Sequence, residues 1–165
     1  CYGNNLVSLD VSSNTLLTSL ICRNNDLFNL NVSNNTQLTI LECYFDELST
    51  LNVTANTLLT RLRFGDSLLT NVDLSQNTLL TFLTAFNSPL MTNVNIDACP
   101  LLTFVDARFD ALTVASVDRI LNRLDVFGLL NGTVQLNGGT NGVPSAAGLA
   151  SKANLVGKGW VVTNN

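Results

Sequence analysis

Leu17–Gln37 reads LTSLICRNNDLFNLNVSNNTQ, and the twenty-one residues that follow, Leu38–Leu58, read LTILECYFDELSTLNVTANTL. The same frame returns a third time as LTRLRFGDSLLTNVDLSQNTL at Leu59–Leu79. A fourth unit begins at Leu80 and carries one extra residue near Met91; a fifth opens as LTFVDARFDAL at Leu102 and then breaks off. Cys1–Leu6, CYGNNL, matches the middle of a unit, starting at the place held by Cys22 and Cys43. A unit this short cannot bury its own leucines, so successive units must stack and share one interior. Alternation such as Leu20-Ile21-Cys22 suits a strand with every second side chain turned inward. Stacked copies of one strand make a parallel sheet with neighbours about 4.8 Å apart. Asparagine returning at the turns can both donate to and accept from the bent backbone, which stacking would otherwise leave unpaired.

Leu17, Leu20, Cys22, Asn25 and Leu27 in the first complete unit resemble the core pattern LxxLxLxxNxL of the leucine-rich repeat family. The resemblance covers residues 1–112. It is nearest to the short 21-residue bacterial class, whose second half echoes the first, as Leu27, Leu30, Val32 and Asn35 do here. It implies a right-handed, curved solenoid of about five units, an α/β repeat architecture with a parallel β-sheet. The sequence departs from the pattern at the first-half asparagine, which becomes Asp46, Ser67, Ser88 and Asp110. The second-half asparagine persists at Asn14, Asn35, Asn56 and Asn77 and then becomes Cys99.

Residues 113–165 follow different rules. Val117, Ile120, Leu121 and Leu124 fall at helical spacing before Gly128, GTVQLNGG reads as a strand, PSAAGLASKANLVGKG as a weaker helix, and Trp160-Val161-Val162 as a closing strand. A solenoid needs an end that covers its last layer, and this segment is expected to be that cap. The ending resembles caps of bacterial and phage-type surface repeat proteins. No equivalent cap precedes Cys1, so the chain is expected to be the C-terminal portion of something longer.

Several functions are poorly served by this composition. Only 12% of residues are charged and the net charge is −4, which argues against nucleic acid, since phosphate contacts need clustered Lys and Arg. No apolar run approaches the roughly 18 residues a membrane span requires. Histidine is absent, so no nucleophile–histidine pair can be built and the cysteine spacing matches no zinc pattern. Asp46 and Glu47 are adjacent, so on a strand they would face opposite sides and could not cooperate as acid and base. No cofactor is expected. Cys1, Cys22 and Cys43 should stack in the interior as inert thiols, although stacking distance alone would permit a bridge. Asp66 is expected to pair with Arg61 and Arg63.

Comparing units within the chain separates constant from varied positions. The second position is always threonine: Thr18, Thr39, Thr60, Thr81 and Thr103. The third, fifth, seventh and eighth positions face away from the leucines, and they vary freely. Seven of the eleven aromatic residues and four of the eight basic ones fall there. Aromatic and arginine enrichment on an exposed surface is the composition of a recognition site. The candidate ligand-binding residues are therefore Arg23, Glu42, Tyr44, Phe45, Arg61, Arg63, Phe82, Phe86, Phe104, Arg108 and Phe109. Neighbouring aromatics also stabilise a sheet by about 0.2–1 kcal/mol per pair, so the face admits a purely structural reading. The expected function is a non-enzymatic recognition or adhesion module for a protein or glycan, outside the cell or on a cell or virion surface. The alternative is a structural appendage or assembly component, with the face packed against a neighbouring subunit or the missing N-terminal part.

Overall fold

A computed structural model describes all 165 residues. The first strand, β1 (Ser19–Ile21), opens a seven-stranded parallel sheet that continues through β3 (Ile40–Glu42), β5 (Arg61–Gly65), β6 (Phe82–Phe86), β7 (Phe104–Asp106), β8 (Thr133–Leu136) and β9 (Val161–Asn164). The second halves of two units contribute a separate two-stranded pair, β2 (Asn29–Leu30) with β4 (Thr50–Leu51). The first halves therefore form the main sheet. Its register is strictly periodic: Ser19, Ile40, Arg61, Phe82, Phe104, Thr133 and Val161 are successive partners in one column. The extra residue of the fourth unit lies in the turn around Met91 and leaves that column aligned.

The inward column of Leu20, Leu41, Leu62, Leu83 and Val105 is buried together with Leu27, Leu48, Leu69, Leu38, Leu59 and Leu80. Burying each leucine contributes about 1.5–3 kcal/mol, and only the next coil supplies the cover. Cys22 and Cys43 are fully buried free thiols in this interior. Cys1 is exposed, contrary to expectation, because no coil of this chain packs on its outer side.

Asparagines knit the second-half turns. Asn56 Nδ2 donates to Val32 O and Asn35 O, each at 2.9 Å, and Asn35 and Asn77 repeat the pattern one coil either side. A threonine hydroxyl ladder runs beside the sheet: Thr39, Thr60 and Thr81 Oγ1 donate to the preceding threonine's carbonyl at 3.0–3.2 Å. The invariant second position thus has a structural cause.

Helix α1 (Val114–Phe127) starts at Thr113, whose side chain accepts from Ser116 N, and stops at left-handed Gly128. Its inner face, Val117, Ile120, Leu121 and Leu124, joins the same core as the repeat leucines. Helix α2 (Ala146–Gly157) packs on α1. Trp160 is buried against Gly132 and its indole N–H donates to Leu129 O at 2.7 Å.

Candidate functional site

The varied positions emerge on the face of the main sheet opposite the leucines. At the third position, Arg61 lies over the Phe82 ring, 4.1 Å from its centroid, and Phe82 stacks flat on Phe104 at 4.2 Å. Strand neighbours in register bring these three side chains together. At the fifth position, Glu42 receives Arg61 Nε at 2.9 Å and lies 3.7 Å from Arg63 Nη1. Asp106 is gripped by Arg108 through two bonds of 2.9 Å, which raises the guanidinium's pKa further.

The seventh and eighth positions form a second cluster where the chain leaves the sheet. Tyr44 meets Phe45 edge-on at 5.2 Å and Phe86 at 6.0 Å, while Phe45 and Phe86 meet edge-on at 6.0 Å. Arg63 lies 4.4 Å from the Tyr44 ring centre, and Arg23 sits between Tyr2 and Tyr44. The cations are thus stacked on rings or paired with acids, holding the aromatic surface in place.

Every eighth-position residue from Gly3 through Phe109 has positive φ. The left-handed turn aims its side chain away from the strand, while its amide still continues the ladder, as in Phe45 N donating to Gly65 O at 3.1 Å. Asn and Asp accept this conformation readily; phenylalanine does so at a cost. Phe45 (φ 57°) and Phe109 (φ 60°) are nevertheless there, each about half exposed. Between them Asp66 and Asn87 are hydrogen-bonded to one another. Phe45, Phe86 and Phe109 with Asp66, Asn87 and Arg108 line an open hollow of about 470 Å³.

Three expectations need correction. Tyr44 is 7% exposed and Glu42 9%, so neither is freely accessible. Both do face away from the leucines; Arg23, Arg61 and Arg63 from the adjoining coils, Phe45 beside Tyr44 in the same coil and Phe86 from two coils on close over them. Asp66 pairs with Asn87 rather than with Arg61 or Arg63, because its turn carries it off the strand while Glu42 lies in register beside both arginines. Asp46 and Glu47 lie in a turn beyond β3, Asp46 buried and Glu47 exposed. The proposed residues thus divide into an Arg61–Phe82–Phe104 group and a Tyr44–Phe45–Phe86–Phe109 group.

A buried polar column beneath this face was not anticipated as a unit. Asn25 Nδ2 donates to Cys1 O and Cys22 O, and its Oδ1 accepts from Leu6 N. Asp46 Oδ1 accepts from Leu27 N and Asn25 N, Ser67 and Ser88 hydroxyls meet at 3.1 Å, and Asp110 Oδ1 accepts from Ser88 N at 2.7 Å. Asn141 completes the column, donating to Ala107 O and Leu136 O. Its sequence reads only as a turn, GGTNG, because the spacing between Asp110 and Asn141 breaks the period.

No family model matches the sequence, and no curated protein matches it. Among solved structures, the functional domain of InlJ from Listeria monocytogenes, which includes a cysteine ladder, matches the whole chain at 29% identity with a TM-score of 0.78. This chain has the leucine-rich repeat fold. The leucine-rich repeat protein LIC12759 of Leptospira interrogans shares the fold over 98% of the chain, at 18% identity and a TM-score of 0.73. The leucine-rich repeat chain described here spans 34% of the InlJ structure's length and 41% of the Leptospira one.

Proposed function

We propose that this leucine-rich repeat chain is a non-enzymatic recognition module that binds a protein or glycan through the outward face of its main sheet. The observation that carries the proposal is the pair of half-exposed phenylalanines, Phe45 and Phe109, kept in left-handed turns that neighbouring coils fill with Gly, Asn or Asp. Phe45 packs edge-on against Tyr44 and Phe86, and Phe109 lies against Gly138, yet each leaves about half of its surface in water, which a binding partner would cover. The solenoid architecture supports the reading, since stacked repeats present extended binding surfaces. Rings fixed by stacked arginines lose little freedom on binding. We place the module outside the cell or on a surface as part of the same proposal; no helix is long and apolar enough to cross a membrane.

A screen against glycans and bacterial or host surface proteins would find the ligand. The Arg63→Ala/Phe86→Ala double variant is expected to lose about tenfold or more in affinity while keeping its circular dichroism and melting temperature close to the parent's. Unchanged affinity would place the binding surface elsewhere.

A further inference from the structure

We infer that the hollow among Phe45, Phe86 and Phe109 takes a basic side chain of a protein partner, with Asp66 as its counter-ion. This rests on the recognition reading above and narrows it from any ligand to a cationic group presented by a protein.

The argument is one of unmet partners. The positive groups of the sheet face are already committed: Arg61 and Arg63 lie on Glu42, and Arg108 is held by Asp106 through two bonds. Arg23 lies between two tyrosine rings. Asp66 has no ion-pair partner anywhere in the chain. Its one hydrogen-bond donor is the Asn87 amide, and its Oδ2 atom is shielded and without a partner. A shielded oxygen left this way is costly, and a turn of the Asp66 side chain toward the hollow would bring it to an incoming donor.

The surroundings select the donor. Three phenylalanines line the same hollow, and the face of an aromatic ring attracts a cation. The adjoining hollow of about 360 Å³ shares Asp66 and Asn87 and adds Asp46 and the exposed, unpaired Glu47. An ammonium or guanidinium supplies donors only, which complements an oxygen that can only accept. Its aliphatic stem would cover the phenylalanine rings, as long basic side chains commonly do on apolar surface. A neutral sugar would gain the ring contacts and its hydroxyls would donate to Asp66, but it brings no positive charge to balance the carboxylate.

Nα-acetyl-lysine methylamide and Nα-acetyl-arginine methylamide are the probes, titrated into the full chain and followed by proton NMR. The neutral isostere Nα-acetyl-norleucine methylamide and an N-acetylglucosamine oligosaccharide serve as comparisons. The expected result is saturable upfield movement of the lysine ε-methylene or arginine δ-methylene signals, caused by the rings. Asp66→Asn should weaken binding about tenfold, the scale of a charge-assisted contact joined to a ring–cation one. Phe45→Gly, whose new residue suits the left-handed turn, should reduce the ring-current shift to what Phe86 and Phe109 supply, the relieved turn offsetting part of the lost ring contacts. Norleucine binding as well as lysine, or an unchanged Asp66→Asn variant, would overturn the inference. Oligosaccharide binding at these rings with no lysine or arginine response would overturn it in favour of a glycan. In either case the general recognition reading stands, because that reading is tested separately by the Arg63→Ala/Phe86→Ala screen.

Discussion

Asp46 and Asp110 occupy seats that an amide fills better. In Asn25 the side-chain oxygen accepts from the preceding coil while the nitrogen donates to two carbonyls. Asp46 accepts from Leu27 through the same register, so its Oδ2 takes the nitrogen's place and has no partner; Asp110 Oδ2 is likewise unpartnered. Burial pushes the Asp46 carboxyl up to about 6 and that of Asp110 up to about 8, since a proton on the second oxygen lets it donate as the amide would. Both folded values lie above the ordinary unfolded one of about 3.9. The folded state therefore binds these protons more tightly, and the stability they contribute is full below about pH 4. It is lost as pH rises through about 6 for Asp46 and about 8 for Asp110. Melting temperature is expected to fall steadily from pH 5 to pH 9. Asp110→Asn should raise stability at pH 8.5 by about 1–3 kcal/mol and flatten the profile, as read from urea melts. A profile unchanged by the substitution would contradict the seat assignment. The sequence showed that this position varies, but its burial and the direction of each oxygen depend on neighbouring coils.

At the scale of single elements, β5 and β6 run longest, five residues each, and at their shared end Gly65 lies directly against Phe86. A Cβ at Gly65 would stand 2.3 Å from Phe86 O and 3.0 Å from the Phe86 ring. Gly65→Ala is therefore expected to destabilise by about 2 kcal/mol or more and to shift Phe86, which lines the hollow. Gly157→Ala gives the internal contrast. It meets nothing within 4 Å at the end of α2, and should stabilise by up to about 1 kcal/mol. Urea denaturation of the two variants should give opposite signs. The inward and outward columns of β1, β3, β5 and β6 were legible in the sequence because a constant 21-residue step keeps those strands in phase. The accessibility of the outward side chains was not. Tyr44 and Glu42 are covered by side chains from the same coil and from coils one and two steps away, and pairwise contact across strands cannot be read from spacing alone. The buried face of α1 was legible, because Val117, Ile120, Leu121 and Leu124 announce it by period.

Across the whole molecule, coils pack chiefly on their neighbours, Phe86 reaching past Gly65 to Tyr44 and Phe45 being the exception, so stability is largely a sum of local interfaces and need not be lost everywhere at once. Trp160 fixes one end of this row, with its ring against Gly132 and its N–H on Leu129. Trp160→Ala should cost about 3–5 kcal/mol locally. Hydrogen exchange should then show β8 and β9 losing protection while β3, β5 and β6 keep theirs. Uniform loss of protection would mean that the row behaves as one cooperative body. Residues 1–18 carry no strand and are mostly exposed, so their amides should exchange fastest in the parent protein. The strict alignment of Ser19, Ile40, Arg61, Phe82 and Phe104 has a consequence for descent. Unequal crossing-over between two units would delete or duplicate a whole coil and still return an intact frame. Side chains on the outer columns can therefore be reshuffled as cassettes. New combinations of ring and charge would arise by rearrangement alone, without passing through unfolded intermediates.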